Sequence, residues 1–135
     1  MAFADTQTGA VLLHGESPAS IELAGTVAKG DAVGFSGGWK RALATAAGVI
    51  QLRCIAGEDG VSGQKITAYF GVVLIDARFT GATAGGALYV AEGTSNGMFT
   101  QTAPTTSTDA NTIVGYALSA TSAALTPNFN VDSVV

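Results

Sequence analysis

Residues 85–120 read GGALYVAEGTSNGMFTQTAPTTSTDANTIVGYALSA, and the reading of this stretch decides the fold class. It predicts a short strand over Ala87–Val90, a turn at Asn96-Gly97, a second strand over Met98–Thr102, a polar loop and a third strand from Ile113. Asn-Gly between two β-rich runs signals a two-residue primed turn, which needs positive φ at both central positions. An earlier piece repeats the plan. Residues 29–44, KGDAVGFSGGWKRALA, place a glycine, a short apolar strand, a turn at Gly37-Gly38 and a returning strand in the same order. Aligning Gly30–Phe35 with Gly85–Val90 sets the two pieces 55 residues apart and predicts a weak internal duplication of one β-unit.

Composition points the same way. Among 135 residues there are 18 glycines and only 12% charged side chains, so strands must be short and turns frequent. That predicts an all-β fold, a small Gly-rich β-barrel or sandwich built from two similar β-units, with an extended N-terminal arm. The organisation expected is an arm over 1–20, a single β-domain over 21–127 and a C-terminal tail over 128–135. A hydrophobic content of 47% at this low charge implies a core of small residues or a large surface buried by a partner. The longest apolar run, Phe70–Ile75, is far short of the ~20 residues of a membrane helix. The first residues carry neither a basic n-region nor a sustained apolar h-region, so no secretory signal is expected. A net charge of −4 with six Lys and Arg in all argues against a nucleic-acid partner.

In chain order, Val11-Leu12-Leu13 stands as an apolar trio among polar residues. Burying each such side chain is worth roughly 1.5–3 kcal/mol, which favours a partner surface or a neighbouring subunit over water. Ile21–Ala24 and Thr26–Ala28 read as one strand interrupted at Gly25. Trp39 reads as a lid on the core, and an exposed Trp39 beside Tyr89 would instead suit glycan binding. Val49–Ala56, VIQLRCIA, alternates as a strand should. Residues 65–76, KITAYFGVVLID, form the most apolar and β-branched run and read as the central strand, kinked at Gly71. A last strand is expected over Ala123–Pro127. The tail carries Phe129 and Val134-Val135.

Catalytic chemistry is thinly provided. His14 is the only histidine and Cys54 the only cysteine, which argues against a Ser-His-Asp triad and against zinc. Cys54 reads as a small buried hydrophobe. The loop GEDGVSGQ at 57–64 lacks the alternating oxygen ligands and closing Glu of a calcium loop. Gly30 and Gly85-Gly86 open no phosphate loop. No enzyme, metal or cofactor is expected.

KGDAVGF at 29–35, GGALYVAEGTSNGMFTQTAP at 85–104 and IVGYALSA at 113–120 together resemble the small β-rich decoration, or cement, proteins of tailed-bacteriophage heads. In that family a glycine-initiated strand is followed by a Gly-containing hairpin, a Thr/Pro-rich loop and a V-G-x-A strand. The resemblance covers about Thr26 to Ala120. It departs where the family commonly has a short acidic stretch, here Arg53-Cys54-Ile55. It implies a β-tulip-like fold and a virion protein on the capsid outer surface, assembled in the host cytoplasm. The partners implied are the major capsid protein and the chain itself as a homotrimer at three-fold positions, with neither nucleic acid nor membrane. An extended terminal segment in such proteins orders on binding by adding a strand to the shell. The residues expected at the capsid or intersubunit contact are Phe3, Val11, Leu12, Leu13 and Phe129. The alternative is a receptor- or glycan-binding tip of a head or tail fibre.

Overall fold

The structure, a computed structural model, describes residues 2–127 and 132–135. The described residues hold no helix and thirteen short strands: β1 (Ala4–Asp5), β2 (Val11–Gly15), β3 (Pro18–Glu22), β4 (Ala32–Phe35), β5 (Trp39–Arg41), β6 (Cys54–Ala56), β7 (Lys65–Tyr69), β8 (Val73–Asp76), β9 (Phe79–Thr80), β10 (Ala87–Val90), β11 (Phe99–Thr100), β12 (Gly115–Ala117) and β13 (Ala123–Leu125). They pair as a five-stranded sheet in the order β3-β7-β6-β4-β5, a six-stranded sheet in the order β11-β10-β12-β13-β8-β2, and the small pair β1-β9. Every strand-to-strand ladder is antiparallel. No sheet closes on itself, so of the expected barrel or sandwich the architecture is sandwich-like.

Register fixes what each face buries, because directly opposed residues share a face and their neighbours take the other. In the five-stranded sheet Ala32, Ile55 and Tyr69 stand opposite one another across β4, β6 and β7. They join the main core, which also takes Val73, Ile75, Leu88, Val90, Phe99 and Leu125 from the six-stranded sheet and its neighbours. The opposite face of the five-stranded sheet carries Val33, Cys54, Ala56 and Ala68, and it builds a second cluster with Ile21, Leu23 and Val27. The five-stranded sheet is therefore buried on both faces. The six-stranded sheet is buried on one.

Several expectations are corrected. The apolar run 65–76 is two strands in two different sheets, broken over Phe70–Val72. A Cβ at Gly71 would stand 3.2 Å from the backbone of Glu16, so the crossing is made where no side chain intervenes. The Asn96-Gly97 turn is not a two-residue connection. Val90 pairs with Phe99, the connection runs from residue 91 to 98, and of the two turn residues only Gly97 has positive φ. Its backbone is engaged elsewhere: Gly97 N–H donates to Ala42 C=O (2.8 Å), and its carbonyl accepts from Ala32 N–H (3.0 Å) and Arg78 Nη2 (3.0 Å). Of the predicted strand Val49–Ala56 only Cys54–Ala56 pairs as a strand, while Ile50 makes an isolated bridge to Leu43. The hairpin at Gly37-Gly38 forms as read, with Phe35 opposite Trp39.

Residues 2–20 do not form a protruding arm. β1 pairs with β9, and β2 pairs with β8 through a register shift between Leu12 and His14. Glu16 N–H donates to Val72 C=O and Phe70 N–H to Ser17 C=O, so the ladder continues without a break into β3 and β7. One two-stranded ribbon, residues 11–22 against 65–76, thus runs through both large sheets and joins them.

Candidate interaction surfaces

The N-terminal segment is held by a buried ionic centre. Arg78, with no exposed side-chain surface, donates from Nε to Asp5 Oδ1 (2.8 Å) and from Nη2 to Asp5 Oδ2 (3.1 Å). Its Nη1 reaches Asp31 Oδ1 at 2.9 Å. Asp31 Oδ2 in turn accepts from Arg41 Nε (2.6 Å) and from Ala28 N–H (2.8 Å). Asp5 also accepts from Gln7 N–H and Phe99 N–H, and the Arg78 guanidinium lies 5.5 Å from the Phe99 ring centroid. Two cations and two anions balance, and the donors and acceptors that burial strips of water find partners. Asp5 brings in β1, Asp31 and Arg41 the five-stranded sheet, and Arg78 the segment before β9. This centre clamps the segment that was expected to be free.

The residues expected at a contact separate accordingly. Phe3 is half-buried against the main core, its ring centroid 5.3 Å from that of Phe79. Leu12 is half-buried on the same core. Both are core-packing residues here. Val11 and Leu13 are exposed. Phe129 lies outside the described residues.

Val11 belongs to a larger surface that sequence reading missed. On the outward face of the six-stranded sheet, Ala87, Tyr116, Ala124, Leu74 and His14 stand directly opposite one another across five strands. Tyr116 is 47% exposed, and Leu118, two residues on, is 55% exposed. Tyr89 and Thr100 extend the face on one side, Val11 and Asp76 on the other. Among the described residues it carries no Lys or Arg, and Asp76 and His14 stand at its rim. His14 Nε2 lies 3.0 Å from Glu16 Oε2, and that hydrogen bond holds the Glu16 carboxyl below the ordinary range. The signal for this face is period-2 alternation in YVA and VGYAL, which by itself does not say which side is wet.

A second apolar surface is aromatic. Phe35 is 60% exposed and meets Trp39 edge-on, with ring centroids 5.2 Å apart. Trp39 meets Phe70 in the same way at 5.7 Å, and both pack on the second core cluster. Trp39 is therefore a partial lid whose neighbour is Phe35, not Tyr89.

The polar residues singled out from the sequence have structural partners. Asp59 Oδ1 accepts from Lys29 N–H (2.7 Å) and Glu58 Oε2 from Thr67 N–H (3.1 Å). Burial pushes the Cys54 thiol up to about 12. Arg53 grips Asp132 through both carboxylate oxygens (2.7 and 2.6 Å), which ties residue 132 to the segment just before β6. Asp109 is buried. Its Oδ1 accepts from Ala46 N–H (2.6 Å) while Oδ2 finds no hydrogen-bond donor among the described residues, and contact with Asp109 raises the Glu92 carboxyl. An open cleft of about 540 Å³ lies between Lys40, Arg41 and the 93–96 loop, but Arg41 is committed to Asp31. Among the described residues no three His, Cys, Asp or Glu side chains gather as a metal site. Among the described residues no helix is long and apolar enough to cross a membrane.

Fold and surface together define an all-β chain whose distinctive features are apolar faces on a sandwich-like body. Comparison with family models, curated proteins and solved structures returned no match.

Proposed function

We propose that this chain is a structural virion protein that binds the outer surface of a tailed-bacteriophage capsid and stabilises the shell, self-associating as a trimer at three-fold positions. The observation that carries the reading is the outward face of the six-stranded sheet. It sets the exposed Val11, Tyr116 and Leu118 around the half-buried Ala87, Ala124 and Leu74, and contiguous apolar surface of this kind is what a protein partner covers. The family resemblance at 29–35, 85–104 and 113–120 supplies two partners, a further copy of this chain on that face and the major capsid protein beside it. The docked N-terminal segment alters one part of the expectation: it is the body, with Val11 and Leu13 at its rim, that meets the shell.

The same proposal includes two copies of one β-unit. The first sheet orders its strands β3-β7-β6-β4-β5 and the second β8-β13-β12-β10-β11, each in the same chain sequence. Ala32 opposite Ile55 matches Ala87 opposite Tyr116, and Ile55 opposite Tyr69 matches Tyr116 opposite Ala124. Loop bonds recur as well: Gly30 N–H to Ala56 C=O and Gly85 N–H to Ala117 C=O, Asp31 N–H to Ala28 C=O and Gly86 N–H to Thr83 C=O. Gly30 and Gly85 share positive φ, 89° and 82°.

The test is the content of gradient-purified heads from cells that carry this gene and from cells deleted for it. The chain is expected in the intact heads at a fixed ratio to the major capsid protein, and heads from the deletion should burst at lower temperature. Heads that lack the chain altogether would refute the reading.

A further inference from the structure

The two β-units meet inside the chain through unlike faces. The row Ala32, Ile55, Tyr69 of the first unit shares the main core with Val90, Phe99 and Leu125 of the second. Matching positions by register, the second unit's counterpart of that row is Ala87, Tyr116, Ala124, and the first unit's counterpart of Val90, Phe99, Leu125 is Phe35, Trp39, Phe70. The contrast in burial is large. Ala32 and Ile55 are 0% exposed and Val90, Phe99 and Leu125 at most 4%, whereas Tyr116 is 47% and Phe35 60% exposed. One contact of complementary halves is therefore made within the chain, and of the equivalent halves Tyr116 on the second unit and Phe35 on the first stay exposed, with Ala87, Ala124, Trp39 and Phe70 half-buried beside them.

We propose that further copies of this chain occupy those halves head to tail, with Leu74, Tyr116 and Leu118 of one copy seated on Phe35, Trp39 and Phe70 of the next. The occupant is a second copy because the chain itself supplies the precedent: its own first unit covers the aromatic and aliphatic positions equivalent to the open trio. A contact between two different surfaces is heterologous, and it closes into a ring or runs on as a filament. Three chains present six β-units around such a ring, which is compatible with a three-fold position. Asp76 and His14 stand at the rim of one face and the proposed contact residues themselves are uncharged, so the contact needs no charge complement at its centre. The inference rests on the two-unit reading and is independent of the shell, because it concerns the isolated chain.

Light scattering on a size-exclusion column tests it, using the full chain and the variants Phe35→Asp and Leu118→Asp. Both positions are more than half exposed, so the body should fold, and continued protection of Cys54 from a thiol reagent checks that it does. Should either aspartate unfold the chain, Phe35→Ser and Tyr116→Ser replace them. The wild-type chain is expected near three times 13.4 kDa and each variant near 13.4 kDa. An equimolar mixture of the two variants should form a 1:1 pair, since each retains the half that the other has lost. A monomeric wild-type chain, a variant that keeps the wild-type mass, or a mixture that remains monomeric overturns the proposal. The last result would point to a symmetric face-to-face contact. Failure here leaves shell binding standing, and heads lacking the chain leave this self-association standing.

Discussion

Truncating Asp5 to alanine tests whether the N-terminal segment is part of the body. The substitution removes both acceptors of the Arg78 Nε and Nη2 bonds and strips Phe99 N–H and Gln7 N–H of their partner. Arg78 keeps Asp31, but Asp31 is already shared with Arg41. Removing one member of a buried ion pair costs about 3–5 kcal/mol, because the remaining charge stays out of water without its counter-ion. An unfolding entropy of about 2.1 cal/mol/K per residue converts that loss, for this chain length, into a fall in Tm of about 10–18 °C. Differential scanning calorimetry at neutral pH reads it directly. Arg78→Met should cost a similar amount, and the Asp5→Asn/Arg78→Met double variant should cost less than the sum of its two single changes by more than about 1 kcal/mol. A loss below about 1 kcal/mol for Asp5→Ala, or strict additivity, would mean that the segment is not seated as described and would return the extended arm. By the same reasoning, deletion of residues 1–13 should weaken the whole fold rather than merely abolish a contact.

Other expectations follow from individual sites. Contact with Asp109 raises the Glu92 carboxyl in the folded chain, so its contribution to stability is full below the ordinary glutamate value and is lost as pH rises through the raised one. Glu92→Gln should therefore raise Tm at neutral pH and flatten the fall across that weakly acidic window, as followed by thermal melts over a pH series. Cys54, with its thiol pushed up to about 12 and no exposed surface, should resist a thiol reagent at pH 8 in the native state and react promptly in denaturant. Gly34→Ala should destabilise by about 1–3 kcal/mol, measured by urea titration, since its Cβ would run into Gln51 C=O. Asp132→Ala, by contrast, breaks a partly exposed pair with Arg53 and should change Tm by no more than a few degrees.

The parts of the fold written in short-range pattern were readable from the sequence. Ala87–Val90 alternates and is flanked by glycines, Gly37-Gly38 closes a tight hairpin, and 65–76 is visibly β-rich, although its pattern reads as one kinked strand and not as two strands of two sheets. What escaped depends on distance along the chain. The partners of Ala4–Asp5 and Val11–Gly15 lie at residues 79–80 and 73–76, and no local signal names them. Asp5, Asp31, Arg41 and Arg78 look like ordinary turn and strand-end charges until the fold brings them together. Asn96-Gly97 misled because its backbone is spent on tertiary bonds to Ala42, Ala32 and Arg78 rather than on a tight turn. The outward face of the six-stranded sheet was hidden for another reason: small and aliphatic side chains at alternate positions read the same whether core or partner covers them.

The ribbon that joins the two sheets also fixes an order of assembly during synthesis. The five-stranded sheet needs nothing beyond Tyr69, its last paired residue, so it can close while the second half of the chain is still being made. β2 must wait for Val73–Asp76 and β1 for Phe79–Thr80, and β8 gains its other neighbour only when Ala123–Leu125 has emerged. Such distant pairings are slow to form, because a long loop must close before any contact rewards it. Residues 4–15, made well before their partners, are thus among the last to find their place, and until then β8 has an open edge on the side that β2 will cover.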